Sequence, residues 1–173
     1  CPNNLAPTTS TTAQLVIGDA LAVCLLELRG FSSKDFAKYH PGGALGKKLY
    51  LRVSDLSSVN EKPKVNKNTS VKDIIIEISE KMLGVTAVVE NNKVVGIITD
   101  GDLRRMLSKT DNFSAYTAAD IMSPNPKCID NDAMAVDAME MMETNGISQL
   151  LVEENGNYAG VVHIHDLIKE GIF

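Results

Sequence analysis

The sequence predicts an α/β (α+β) fold: two like units in tandem behind a leading helical segment. Three observations predict it. The chain repeats itself, because Val95-Gly96-Ile97-Ile98-Thr99-Asp100-Gly101-Asp102-Leu103 aligns with Ala159-Gly160-Val161-Val162-His163-Ile164-His165-Asp166-Leu167. Upstream, Val53-Ser54-Asp55-Leu56 aligns with Ala118-Ala119-Asp120-Ile121, so two units of about sixty residues follow. Inside each unit the apolar spacing switches from helical to alternating and back, the pattern of helix, strand, strand, helix.

Residues 1–50 stand outside the repeat. A Ser/Thr-rich run, Thr8 to Thr12, precedes a predicted amphipathic or buried helix over Ala13–Leu28 that Gly30 ends. A short helix is expected around Lys34–Tyr39. It should stop at His40-Pro41-Gly42-Gly43, since Pro41 disfavours the α conformation at His40 and the glycines loosen the chain.

In the first unit Ser70 is placed to cap a helix whose apolar face is Val71, Ile74, Ile75, Ile78 and Met82. Two strands follow, Thr86–Glu90 and Lys93–Thr99, joined at Asn91-Asn92, then a helix over Asp102–Leu107. The second unit predicts a helix over Asp132–Glu143, strands Ile147–Val152 and Asn157–Val162, and a last helix from Asp166. Asn155-Gly156 between the two strands is a hairpin signal, because both residues tolerate positive φ.

Composition narrows the function classes. The 173 residues are 44% hydrophobic but only 5% aromatic, with no Trp, so the core is expected to be built from aliphatic residues and Met. Met134, Met139, Met141 and Met142 share one helical stretch and read as core filler. A formal charge of -5 argues against nucleic-acid or anionic-membrane partners, which need clustered Lys and Arg. No apolar run is read as reaching the roughly 20 residues that span a bilayer, so the expected address is cytoplasmic. Cys1, Cys24 and Cys128 read as reduced thiols, with Cys24 expected in the core. The chain opens at Cys1 without Met, and its first four residues belong to no complete element, so a piece of a longer polypeptide is expected.

The two repeats resemble CBS domains, on the strength of Gly96 to Leu103 and the paired Ser54-Asp55-Leu56 and Ala119-Asp120-Ile121 segments. The first fifty residues resemble the end of the sugar-isomerase (SIS) domain of D-arabinose 5-phosphate isomerases. Three runs carry that likeness: Ala6-Pro7-Thr8-Thr9-Ser10-Thr11-Thr12, Gly18-Asp19-Ala20-Leu21-Ala22, and His40-Pro41-Gly42-Gly43-Ala44-Leu45-Gly46. The implied architecture is a tandem CBS pair of βαββα repeats, over residues 51–112 and 113–173. The C-terminal helical piece of an αβα SIS domain, residues 1–50, precedes it.

The implied parent interconverts ribulose 5-phosphate and arabinose 5-phosphate for Kdo and lipopolysaccharide synthesis, and this piece alone is expected to be inactive. His40 matches the family's catalytic histidine. Aldose-ketose isomerisation moves a proton between adjacent carbons through an enediol, and an imidazole can take and return it near neutral pH. The bland alternative is a surface histidine that ends a helix. Thr8, Ser10 and Thr11 are candidates for holding the sugar phosphate at a helix start, or else form an ordinary N-cap cluster.

In nucleotide-binding CBS repeats, a Thr followed three residues later by Asp holds phosphate and ribose, which assigns Thr99 and Asp102 in the first repeat. Asp102 also suits a first-turn carboxylate stabilising the helix dipole. One of Arg104 and Arg105 could reach a ligand phosphate, with Arg104 taken as the candidate, or both are solvated charges. His163 and Asp166 hold the matching positions in the second repeat, where His replaces Thr. His163, His165 and Asp166 also raise a metal site that nothing in the sequence completes, so no metal is assigned.

No cofactor is required on this reading, while a nucleotide or nucleotide-sugar effector (CMP-Kdo, AMP or ATP) is expected. The resemblance further implies a homo-oligomer, dimeric through the CBS repeats and tetrameric in the parent. Two alternatives stay open: a stand-alone nucleotide-binding CBS module, or an SIS isomerase of capsule or hexitol metabolism.

Overall fold

The computed structural model describes residues 3, 5–32, 35–36, 39, 44–110 and 112–173. Helix α1 (Thr8–Leu28) leads, followed by α2 (Ala44–Tyr50) and α3 (Val53–Ser57). The first unit runs β1 (Lys64–Val65), α4 (Val71–Lys81), β2 (Val85–Glu90), β3 (Lys93–Thr99) and α5 (Asp100–Leu107). A 3₁₀ turn (Phe113–Ala115), α6 (Ala118–Ile121) and β4 (Ser123–Pro124) then lead to the second unit. That unit comprises β5 (Cys128–Asp130), α7 (Ala135–Asn145), β6 (Gln149–Glu154), β7 (Asn157–His163) and α8 (Ile164–Lys169). The expected tandem pair of βαββα units is present; the short parallel strand that opens each, β1 and β5, is the one the resemblance implies and the periodicity does not show.

The hairpins form where positive φ is affordable. Asn91 and Asn92 sit at φ 49° and 66°, and Asn155 and Gly156 at 51° and 74°, the two-residue turns that match strand twist. Both hairpins carry a register shift, between Val88 and Val89 in one and between Val152 and Glu153 in the other. The repeat is therefore legible down to its bulges. Ser70 caps α4 by accepting from the Asp73 N–H, and Val71, Ile74 and Ile78 are buried as expected. Met82 departs from expectation: it is the left-handed C-cap of α4, at φ 55°, and is exposed.

Packing reveals an exchange that no local pattern announces. Val53 and Leu56 of α3, which precede the first unit, are buried with Ile129, Leu150, Val162 and Leu167 of the second. Ala118 of α6, which precedes the second unit, is buried with Val65, Val71, Ile74 and Ile98 of the first. Each lead-in helix thus completes the other unit's core. The backbone repeats the exchange: Val53 and Ser54 donate to the Ala133 and Asn131 carbonyls, while Ala118 and Ala119 donate to those of Thr69 and Lys67. Bridges Arg52–Met134 and Thr117–Ser70 flank these contacts. A third buried layer, Val85, Ala87, Val89, Leu151 and Val161, holds the faces of the two sheets together. Burying each such aliphatic side chain contributes about 1.5–3 kcal/mol, so the seam is a main source of stability.

Several expectations need correction. The helix expected from Ala13 begins at Thr8, so the Ser/Thr run lies within α1 instead of preceding it. With 21 residues, α1 is long and apolar enough to cross a membrane by length and composition, contrary to the reading of the sequence. None of its residues is buried, and Leu15, Ile17, Leu21 and Leu26 show that apolar side chains surround it. Cys24 lies on this helix and is exposed, while Cys128 is the partly buried thiol, pushed up to about 12 by burial and then by Glu153. The helix expected over 132–143 starts at Ala135, with Met139 and Met142 in the core. Of the helix expected around Lys34–Tyr39, only Asp35, Phe36 and Tyr39 are among the described residues.

Two substitutions probe this packing. Thr86 is fully buried in β2 with its hydroxyl unpartnered, so Thr86→Val should raise stability by about 1–2 kcal/mol in urea melts. A Cβ on Gly96 would lie 2.6 Å from the Met122 sulfur and 3.2 Å from its Cβ, so Gly96→Ala should destabilise by about 1–3 kcal/mol.

Candidate functional site: the two helix-capping clefts

Each hairpin runs directly into a helix whose first turn collects the polar residues singled out by sequence. In the first unit Thr99 is the N-cap of α5 and forms a reciprocal capping box with Asp102. The Thr99 N–H and hydroxyl donate to Asp102 Oδ2 at 2.9 and 2.7 Å, and the Asp102 N–H donates to Thr99 Oγ1 at 3.3 Å. The other carboxylate oxygen, Oδ1, accepts from Arg105 Nη2 at 2.6 Å and more weakly from the Ser123 hydroxyl at 3.4 Å. Burial pushes this carboxyl up, but the bonds from Thr99 and Arg105 outweigh it and hold Asp102 below the usual carboxylate range. Thr99 and Asp102 therefore meet as expected, and the helix-start reading of Asp102 is realised in full.

Arg104 stands apart from this pair: its Nε donates to the Asp100 carbonyl at 3.4 Å, whereas the ion pair to Asp102 belongs to Arg105. An i, i+3 pair on a helix shares a face, and that spacing from Asp102 was the signal that could have selected Arg105.

The second unit repeats the device with different chemistry. His163 is the N-cap of α8, its N–H donates to Asp166 Oδ2 at 3.0 Å, and its Nδ1 accepts from the His165 N–H at 3.1 Å. An accepting Nδ1 places the proton of a neutral ring on Nε2. Burial, then the neighbouring His165, lowers the His163 pKa against the opposing pull of Asp166. The two imidazoles stack at 4.8 Å between centroids, so His163 Nδ1 and the ring faces are committed to each other.

Asn60, which no motif or periodicity singles out, donates through Nδ2 to Asp166 Oδ2 at 2.7 Å and to the Val161 carbonyl at 3.1 Å. In the first unit β4 pairs with β3 at Gly96 and Ile97, while the second sheet ends at β7. The Asn60 amide serves that edge where a fourth strand would lie.

Two cavities open beside α5. One, of about 480 Å³, lies between the units and is lined by Thr99, Gly101, Arg104 and Arg105 on one side and Ser148 and Gln149 on the other. A smaller one, of about 230 Å³, is lined by Asp102, Arg105, Lys109, Tyr116 and Asp120. Hydroxyls, a carboxylate and cationic side chains around such spaces suit a small polar ligand carrying hydroxyl groups and an anionic group.

The candidates in the leading segment are less assembled. Ser10 and Thr11 donate to the Pro7 carbonyl at 3.0 and 3.1 Å, and the Thr8 carbonyl accepts from the Thr11 and Thr12 hydroxyls. These hydroxyls thus bond back along their own helix, and Pro7, the N-cap, contributes no side-chain hydrogen bond. His40 lies outside the described residues.

An interlocked pair of βαββα units, each closing on a capped helix and with cavities beside α5, defines a tandem-repeat module. The CBS domain family model matches residues 53–109 and 118–172, and the chain belongs to that family. It is 47% identical over 174 residues to arabinose 5-phosphate isomerase KdsD of Salmonella typhi, covering 99% of this chain and 53% of that protein. It is 50% identical over 171 residues to the KdsD of Francisella tularensis, covering 98% and 52%. The chain thus spans about half the length of these curated relatives. Among solved structures, a CBS-domain protein from Pyrobaculum aerophilum complexed with AMP superposes with a TM-score of 0.61 at 20% identity, covering 68% of this chain and 90% of that one. The CBS pair of MJ0100, in complex with 5′-methylthioadenosine and S-adenosyl-L-methionine, gives 0.61 at 21% identity, covering 69% and 94%.

Because Asp102 has a depressed folded pKa, its stabilisation is present above its unfolded value of about 3.9 and is lost as pH falls through the folded one. Urea melts should therefore show Asp102→Asn less stable than the parent at about pH 7, with the gap closing as pH falls below the unfolded value and through the lowered folded one. A gap independent of pH would remove the charge from the account. For Asn60→Ala, stranding two part-buried acceptors should cost about 1–3 kcal/mol in the same assay.

Proposed function

We propose that this chain is the C-terminal part of an arabinose 5-phosphate isomerase, joining the end of its SIS domain to a CBS pair that senses a nucleotide-type effector. The observation that carries this reading is the 44–50% identity to KdsD isomerases, which runs through 98–99% of the chain, the leading segment included. On this reading the parent interconverts ribulose 5-phosphate and arabinose 5-phosphate and feeds Kdo and lipopolysaccharide synthesis in the cytoplasm. His40 is the group that carries a proton between C1 and C2 of the open-chain sugar. Thr8, Ser10 and Thr11 lie toward the bound sugar phosphate, their hydroxyls exchanging helix carbonyls for ligand oxygens.

The surface of α1 supports the assignment of the first fifty residues. A helix that is apolar all round is the type that other elements bury, and in this reading the rest of the SIS αβα layers cover it. The piece alone therefore lacks most of its catalytic half and has no turnover. Assembly as a homo-oligomer, dimeric through CBS repeats and tetrameric in the parent, belongs to the same proposal.

The two clefts carry the regulatory half of the reading. Solved CBS neighbours hold AMP and adenosyl ligands, and the two cavities beside α5 together offer such a molecule Thr99 and both arginines in the larger and the Asp102 carboxylate in the smaller. AMP, ATP and CMP-Kdo are the candidate effectors. The second cleft, with His163 in place of Thr and Asn60 already bonded to Asp166, is the poorer nucleotide site.

The catalytic assignment is tested in the full-length protein. His40→Ala should lower kcat for ribulose 5-phosphate isomerisation by about 10²–10⁴-fold with the melting temperature unchanged, as loss of a general acid-base predicts. Turnover near that of the parent would remove His40 from the mechanism.

A further inference from the structure

We propose that Arg105 is the gate and specificity determinant of the first cleft: it neutralises Asp102 in the empty state, then releases the carboxylate to a ligand's vicinal diol and turns to that ligand's phosphate. This rests on the reading of the first cleft as a nucleotide site. Three features of the structure carry it.

Arg105 joins two unequal environments. Its guanidinium is bonded to Asp102 at 2.6 Å, yet the arginine side chain is 68% exposed while that of the aspartate is only 9% exposed. Asp102 is fixed by its capping bonds to Thr99, so the mobile partner of this pair is the arginine. Arg105 is also the side chain common to both cavities beside α5, lining the larger with Thr99 and the smaller with Asp102. Turning it away from Oδ1 frees the oxygen that a diol requires. Arg105 Nη1 and Thr99 Oγ1 each lie 3.4 Å from where a Cβ on Gly101 would sit, an ordinary van der Waals distance, so the guanidinium and the hydroxyl flank the same backbone position.

The exchange is favourable only for a ligand that carries both groups. A nucleoside offers a diol for Asp102 but leaves the displaced guanidinium with water alone. A nucleotide replaces the lost ion pair with an Arg–phosphate pair, which can be bidentate and charge-assisted. Arg105 therefore penalises nucleosides and rewards nucleotides, a discrimination built from competition as well as attraction.

Calorimetric titration of the chain with AMP and with adenosine tests this, comparing the parent with Arg105→Ala and Arg105→Lys. The parent should favour AMP over adenosine by about tenfold or more, the size of one charge-assisted contact. In Arg105→Ala, AMP should weaken while adenosine tightens, so the preference collapses, and Arg105→Lys should keep part of it. Equal loss for both ligands in Arg105→Ala, or no change for either, overturns the gate while leaving the nucleotide reading in place. A parent that binds neither ligand, with Arg105→Ala binding adenosine, overturns both, because the arginine then blocks the cleft without rewarding a phosphate. Failure of every variant with both ligands overturns both.

Discussion

The exchange of lead-in helices is the constraint on which the rest of this structure depends. Val53 and Leu56 are buried in the second unit and Ala118 in the first, so neither unit has a complete core of its own. The inter-sheet layer around Val85, Ala87, Leu151 and Val161 then fixes the two units face to face. The clefts inherit their geometry from this arrangement, because the segment after each exchanged helix carries the side chain that reaches the other unit's capping aspartate: Ser123 to Asp102, and Asn60 to Asp166. A change at either cleft is thereby connected to the chain entering the opposite unit.

The same exchange ties the leading segment to the second unit. Lys47 of α2 pairs with Glu170 at 2.6 Å, and Lys48 donates to the Phe173 carbonyl and lies over its ring. Burial of Leu51 against the second core continues that contact. Exposed ion pairs of this kind contribute little stability, but they set the path of the chain between the segment ending at α2 and the helix that bears Asp166.

Much of this was legible in the sequence, and the failures have physical causes. The Gly96 and Gly160 alignment located both hairpins, and Asn91-Asn92 and Asn155-Gly156 located their turns, because positive φ restricts residue choice. Lys64–Val65 and Cys128–Asp130 are too short to show alternation, so their strands emerge only from pairing with β2 and β6. The exchange depends on contacts distant along the chain, and no periodicity encodes it. Thr99 and Asp102 are legible through the Thr-x-x-Asp spacing that the CBS resemblance carries, whereas Asn60 substitutes for a missing strand and carries no local signal. A membrane-length α1 is not legible from a helix that starts at Ala13; the Ser/Thr run Thr8–Thr12 is itself helical and lengthens α1 to 21 residues.

Taken together, the clefts are two versions of one capping device, one left exchangeable by an exposed arginine and the other sealed by stacked imidazoles and a side-chain amide. If the exchanged helices constrain both units, an occupant of the first cleft should be felt in the second unit through them. Amide hydrogen exchange of the chain with and without AMP measures this directly. Added protection at Thr99–Arg105 together with Ala118–Ser123 and Asn131–Ala135 is the expected result. Protection confined to the first turn of α5, or none at all, would contradict it.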